Sequence, residues 1–129
     1  MTEQEVFTEV TEFLLEQDAK SMRQIGDQEY TAYYGYNGRR CAIGCLIPDL
    51  HYHDSLEGKG LNTPDVQSAV GIMVDNPAIF SLLEELREVH DNLPVSEWPQ
   101  AFMSIAVDHN YAMGYELSFI SEHYGGQLW

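Results

Sequence analysis

Apolar residues recur at helical spacing in several stretches of this chain. Over residues 3–20, Val6, Phe7, Val10, Phe13 and Leu14 fall at i, i+1, i+4, i+7 and i+8 and predict an amphipathic helix. Thr2 is placed to cap it, and Glu5, three residues on, completes a capping box. Residues 64–75 repeat the pattern through Val66, Ala69, Val70 and Met73, behind a Thr63-Pro64 pair that suits the N-cap and first helical position. Asn76-Pro77 breaks that helix and opens another to about residue 92, carried by Phe80, Leu83, Leu86 and Val89 and ended by Leu93-Pro94. Ser96 is placed to cap a fourth long helix, in which Trp98, Ala101, Phe102, Ile105, Ala106 and His109 share a face. Residues 115–123 also read as helical.

The period changes over residues 30–36. Tyr30, Ala32, Tyr34 and Tyr36 alternate with Thr31, Tyr33 and Gly35, and aromatics suit strands. Asn37-Gly38 follows, the pair that accepts positive φ in a two-residue type I′ turn. A return strand over residues 39–43 would complete a hairpin; the competing reading makes residues 41–47 a short helix halted by Pro48. Residues 54–63 read as a loop. The expected fold is mainly α (α+β), one compact domain over residues 1–129, a helical bundle with one small β-hairpin.

Charge narrows the function classes. The chain has 21 acidic against 6 basic residues, a formal net charge of -15. Phosphate binding is driven by Lys and Arg, so direct binding to nucleic acid or to an anionic membrane is disfavoured, and a partner with a basic surface is favoured. The 44% hydrophobic content is enough for a real core. The N-terminal Met-Thr-Glu-Gln-Glu is acidic, unlike a signal peptide, and the apolar runs are too short to span a bilayer. The expectation is a cytoplasmic protein with reduced thiols.

Residues 30–54 concentrate aromatics, glycines, both Cys, two His and a basic pair, and they offer several chemistries. Cys41, Cys45, His51 and His53 follow C-x3-C-x5-H-x-H, with ligand types that zinc prefers. The spacing is poor, because His51 and His53 point to opposite sides of a strand or lie about 200° apart on a helix. Two buried thiols beside two surface His is the simpler reading, and no metal or cofactor is expected. Cys45 with His51, His53, His90, His109 or His123 as base is a further arrangement, as is a cation site at Asp49, Asp54 and Glu57 with His53. Tyr30, Tyr34, Tyr36, Arg39 and Arg40 are a candidate clamp for an anionic, nucleotide-like ligand. Gly58-Lys59-Gly60 is not a phosphate-binding motif.

Two acidic helix faces complete the candidates. Glu5, Glu9, Glu12 and Glu16 line one predicted helix, and Glu84, Glu88 and Asp91 line another. Carboxylates three or four residues apart on a helix recur every ~5–6 Å, of the same order as phosphates along a nucleic-acid strand. Such a face can imitate nucleic acid to a basic groove.

Residues 41–49, Cys-Ala-Ile-Gly-Cys-Leu-Ile-Pro-Asp, followed by Tyr52 and Leu56-Glu57-Gly58, resemble a segment of small tailed-phage and prophage proteins that have no assigned activity. The resemblance covers residues 38–60. It implies a shared structural element and a phage-derived setting, and it lends no catalytic residues. The sequence therefore favours a non-enzymatic interaction protein that binds a host or phage protein, with a small-ligand binder and a thiol- or metal-dependent enzyme as alternatives.

Overall fold

The computed structural model describes residues 1–71 and 74–112. Among them are four α-helices and one two-stranded antiparallel hairpin, which agrees with the expected mainly α (α+β) class. Helix α1 spans Glu3–Gln17, with the expected capping box: Thr2 Oγ1 accepts from the Glu5 N–H, and the Glu5 carboxylate accepts from the Thr2 N–H. It ends three residues before the predicted boundary, at Asp18, which adopts the left-handed conformation (φ 52°) and returns its N–H to the Leu14 carbonyl.

Helix α2 is Pro64–Val70, shorter than predicted because Gly71 takes positive φ and closes it. Met73 lies outside the described residues, as does the predicted helix 115–123. Helix α3, Pro77–Asn92, matches its prediction at both ends, and the Asn76 side chain accepts from the N–H groups of Ala78 and Ile79. Helix α4 is Trp98–His109. Ser96 does not cap it: Val95–Glu97 form a 3₁₀ turn that runs directly into the helix, so the predicted cap sits inside that turn.

Helices α1, α3 and α4 pack against one another. Phe7, Leu14, Leu83, Leu86, Trp98 and Phe102 are sealed from solvent at their centre. Each such side chain contributes about 1.5–3 kcal/mol of burial. Gln4 closes the bundle end by bonding both backbone groups of Ala112, and Tyr111 lies tilted against Phe7 and donates to Glu3.

The hairpin is not where the tyrosine alternation puts it. Strands β1 (Met22–Ile25) and β2 (Gln28–Thr31) pair in the register Met22–Thr31 to Ile25–Gln28 across Gly26-Asp27. Gly26 has φ 64°, the conformation that a type II′ turn requires at its first central position. The alternation fails at Ala32 and Tyr33, which are consecutive and both buried.

Asn37-Gly38 does form a tight turn, with φ 61° and 74°, closed by the Arg39 N–H on the Tyr36 carbonyl. Its flanks pair only once, at Tyr34–Arg40. Gly35 stays in register opposite Arg39, with its N–H on the Arg39 carbonyl. A Cβ at Gly35 would lie 2.6 Å from the Met22 nitrogen, so this turn packs against β1. Residues 41–47 form neither the return strand nor the full helix; the regular piece is a 3₁₀ turn at Gly44–Leu46.

Candidate functional site

The segment around Cys41 is built onto the tyrosines. Gly44 rests on the Tyr33 carbonyl so closely that a Cβ there would lie 2.0 Å from that oxygen. The turn that follows carries the chain past Pro48 to Tyr52 and Glu57. The Glu57 carboxylate accepts from the backbone N–H of Tyr33 at 2.9 Å and of Tyr34 at 3.1 Å, and from the Tyr52 hydroxyl at 2.6 Å. Arg23, from β1, donates to the Tyr34 carbonyl (2.7 Å), to Tyr52 (2.8 Å) and to Asp54 (3.3 Å). Burial first, then the hydrogen bond to Glu57, raises the Tyr52 hydroxyl above its ordinary value. It therefore serves as a donor.

Of the candidate ligand clamp, the structure unites Tyr34 and Arg40 alone. The Tyr34 and Tyr52 rings stack with centroids 3.8 Å apart and planes 5° from parallel. The Arg40 guanidinium carbon lies 3.5 Å from the Tyr34 centroid. Two groups this close cannot share one ring face, so both faces of Tyr34 are covered. Tyr36 is used elsewhere, its hydroxyl bonded to both backbone groups of Gln24. Tyr30 lies out on β2 and bonds Gln28. Arg39 is exposed and makes no ion pair among the described residues.

The thiols and imidazoles are separated by burial. Cys41 is enclosed in the core and Cys45 is largely so, whereas His51 and His53 are exposed. Burial pushes the Cys41 thiol up to about 12 and raises that of Cys45 as well. Neither is a ready thiolate nucleophile. Cys45 donates to the Ala42 carbonyl, and Cys41 accepts from the Gly44 N–H. Among the described residues, no group of three or more His, Cys, Asp and Glu is placed to hold a metal ion. Of the carboxylates proposed for a cation, Asp49 bonds Tyr34, while Asp54 and Glu57 meet at Tyr52 and Arg23.

One arrangement that the sequence pattern does not reveal is Asp91–His90–Ser21. Asp91 Oδ1 lies 2.7 Å from His90 Nδ1, and His90 Nε2 lies 3.0 Å from Ser21, in the order of a hydrolytic triad. The group at Ser21 is its backbone N–H, which can only donate. Nε2 must therefore carry the lone pair and Nδ1 the proton. The Ser21 hydroxyl donates to the Ala32 carbonyl at 2.8 Å. The trio joins α3 to β1 and activates no nucleophile.

Comparison with family models, with curated proteins and with solved structures finds no match. The site reading thus rests on geometry.

The two acidic faces differ. On α3, Glu84 forms a two-bond pair with Arg87, Asp91 is held by Arg87 and His90, and Glu88 accepts from Asn92. On α1, Glu5 belongs to the cap, whereas Glu9, Glu12 and Glu16 make no ion pair among the described residues. All six Lys and Arg lie within those residues, at positions 20, 23, 39, 40, 59 and 87. No helix of the described residues is long and apolar enough to cross a membrane.

Proposed function

We propose that this chain is a non-enzymatic interaction protein whose α1 face docks on a basic surface of a host or phage protein, as a nucleic-acid mimic would. The observation that carries this reading is the uncompensated row Glu9, Glu12 and Glu16, which makes no ion pair among the described residues. The α3 face supports it by contrast, since Glu84 and Asp91 are engaged at home. The resemblance of residues 38–60 to tailed-phage proteins supports a setting in the host-cell cytoplasm. The internal closure of the Tyr34, Tyr52 and Arg40 stack weighs against the nucleotide-like ligand.

The test is affinity capture from a host lysate with the native chain and with a Glu9→Lys, Glu12→Lys, Glu16→Lys variant. Solvated charges contribute little to folding, so the variant keeps its thermal midpoint within a few degrees. The captured protein elutes as salt rises and is not retained by the variant, because exposed charges are screened beyond ~8 Å at physiological ionic strength. A partner held equally by both chains at every salt concentration overturns the reading.

A further inference from the structure

Both strands of the hairpin have an outer edge, and the fold treats the two differently. On β1, the Tyr36 hydroxyl bonds Gln24 N at 2.8 Å and Gln24 O at 3.2 Å, and Gly35 lies against the backbone of Met22. That edge is closed. The same contacts show that Gln24 points away from β2. The Ala32 N–H bonds the Ser21 carbonyl, which continues the ladder with Arg23–Tyr30 as a hydrogen-bonded pair and Met22–Thr31 as an open one. Glu29 and Thr31 therefore direct their N–H and C=O groups outward from β2. None of these four groups has a protein partner among the described residues. Both residues are exposed.

A groove of about 350 Å³ lies beside this edge, lined in part by Ile25, Tyr30, Thr31, Ala32 and Gly58. Ile25 is 67% exposed and Tyr30 47%, two of the few large apolar side chains left in water. They share one face of the hairpin with Arg23, because side chains alternate along each strand. Glu29 stands on the opposite face, with Asp27 in the adjoining turn. The nearby cations are already committed, Arg23 to Asp54 and Lys59 to Asp65.

We infer that the free edge of β2 binds an extended segment of a partner protein as a third strand, in which basic and apolar side chains alternate. The residue opposite Tyr30 is apolar and enters the groove. The residue opposite Glu29 is Lys or Arg. Main-chain bonds to Glu29 and Thr31 supply the pairing, and the alternating side chains supply selectivity. A second copy of this chain is the poorer occupant, because pairing about Tyr30 would bring together two molecules of charge -15. The inference concerns a surface other than α1 and stands without the mimic reading.

The probe is the synthetic peptide acetyl-Gly-Lys-Val-Thr-Val-Lys-Gly-amide, with two analogues: one N-methylated at alternate residues, one with Glu in place of Lys. The readout is amide hydrogen exchange by NMR. With the Lys peptide in excess, exchange at Glu29 and Thr31 slows at least tenfold, while the N-methylated and Glu peptides have no effect. Thr31→Pro, which removes an outward N–H and no ladder bond, abolishes binding, as the N-methylated peptide does without altering the protein. The Glu9→Lys, Glu12→Lys, Glu16→Lys variant binds the Lys peptide as the native chain does, which separates this edge from α1. Protection on α1 alone, equal binding of the N-methylated peptide, self-association through Tyr30, or no protection at millimolar peptide overturns the inference.

Discussion

Glu57 shows how much one carboxylate can organise. Its two oxygens accept from two consecutive backbone N–H groups and a tyrosine hydroxyl. Glu57→Ala leaves those donors in a site where the side chain is only 19% exposed. The expected cost is about 2–4 kcal/mol by urea unfolding, against less than half of that for Glu57→Gln, which keeps an acceptor oxygen. Little of this is legible in the sequence, because two of the three groups that Glu57 satisfies are backbone atoms more than twenty residues away. The thiols are the opposite case, since their burial is what apolar neighbours and poor ligand spacing suggest. The folded chain favours the protonated Cys41, raised from 9.0 to about 12. Its contribution to stability is therefore complete below pH 9 and is lost as pH rises through about 12. Both cysteines should resist maleimide at pH 7.5 in the native chain and react fully in denaturant, as mass spectrometry will record.

At the scale of elements, α1 and α3 could be read because periodicity, caps and breakers agree along them. The strands could not. β1 and β2 are Met-Arg-Gln-Ile and Gln-Glu-Tyr-Thr, with most positions exposed, so no apolar face marks their period. The tyrosine segment carries the better alternation, yet Ala32 and Tyr33 are both drawn into the core and Gly35 packs against β1. The Asn37-Gly38 turn was legible because backbone chemistry alone decides it. Helix α1 also carries a local conflict. Asp18 holds a left-handed conformation at the negative end of the helix dipole, with no basic residue in the last turn. Asp18→Gly should relieve both, raising stability by about 0.5–1 kcal/mol in thermal unfolding.

For the molecule as a whole, the helical bundle is what three amphipathic stripes with one buried centre must form. The arrangement of charge over it is less predictable, because sequence cannot show which carboxylates find partners. Arg87 pairs with Glu84 and Asp91 on α3, and Glu9, Glu12 and Glu16 on α1 make no ion pair among the described residues. A chain of charge -15 repels itself. Raising NaCl from 10 to 500 mM should therefore raise the thermal midpoint by several degrees, and the Glu9→Lys, Glu12→Lys, Glu16→Lys variant should gain less from the same salt. An unchanged midpoint in the native chain would mean that the acidic surface is already balanced.

The stacked rings of Tyr34 and Tyr52 have an optical consequence. Two phenols 3.8 Å apart and nearly parallel couple their electronic transitions, so the pair should produce a circular-dichroism band in the near ultraviolet that neither ring gives alone. Trp98 is sealed among the helices, with its indole N–H on the Leu93 carbonyl, and emits from an apolar environment. The chain thus carries one spectroscopic witness in the loop layer and another in the bundle. In a Trp129→Phe background, where Trp98 is the sole tryptophan, the two signals should vanish at the same denaturant concentration if Glu57, Arg23 and the Ser21–His90 contact weld the layers into one cooperative unit. If the tyrosine band disappears first, the loop layer opens while the helices hold. Tyr52→Phe and Tyr52→Leu would then tell whether the stack or the hydroxyl holds that layer shut.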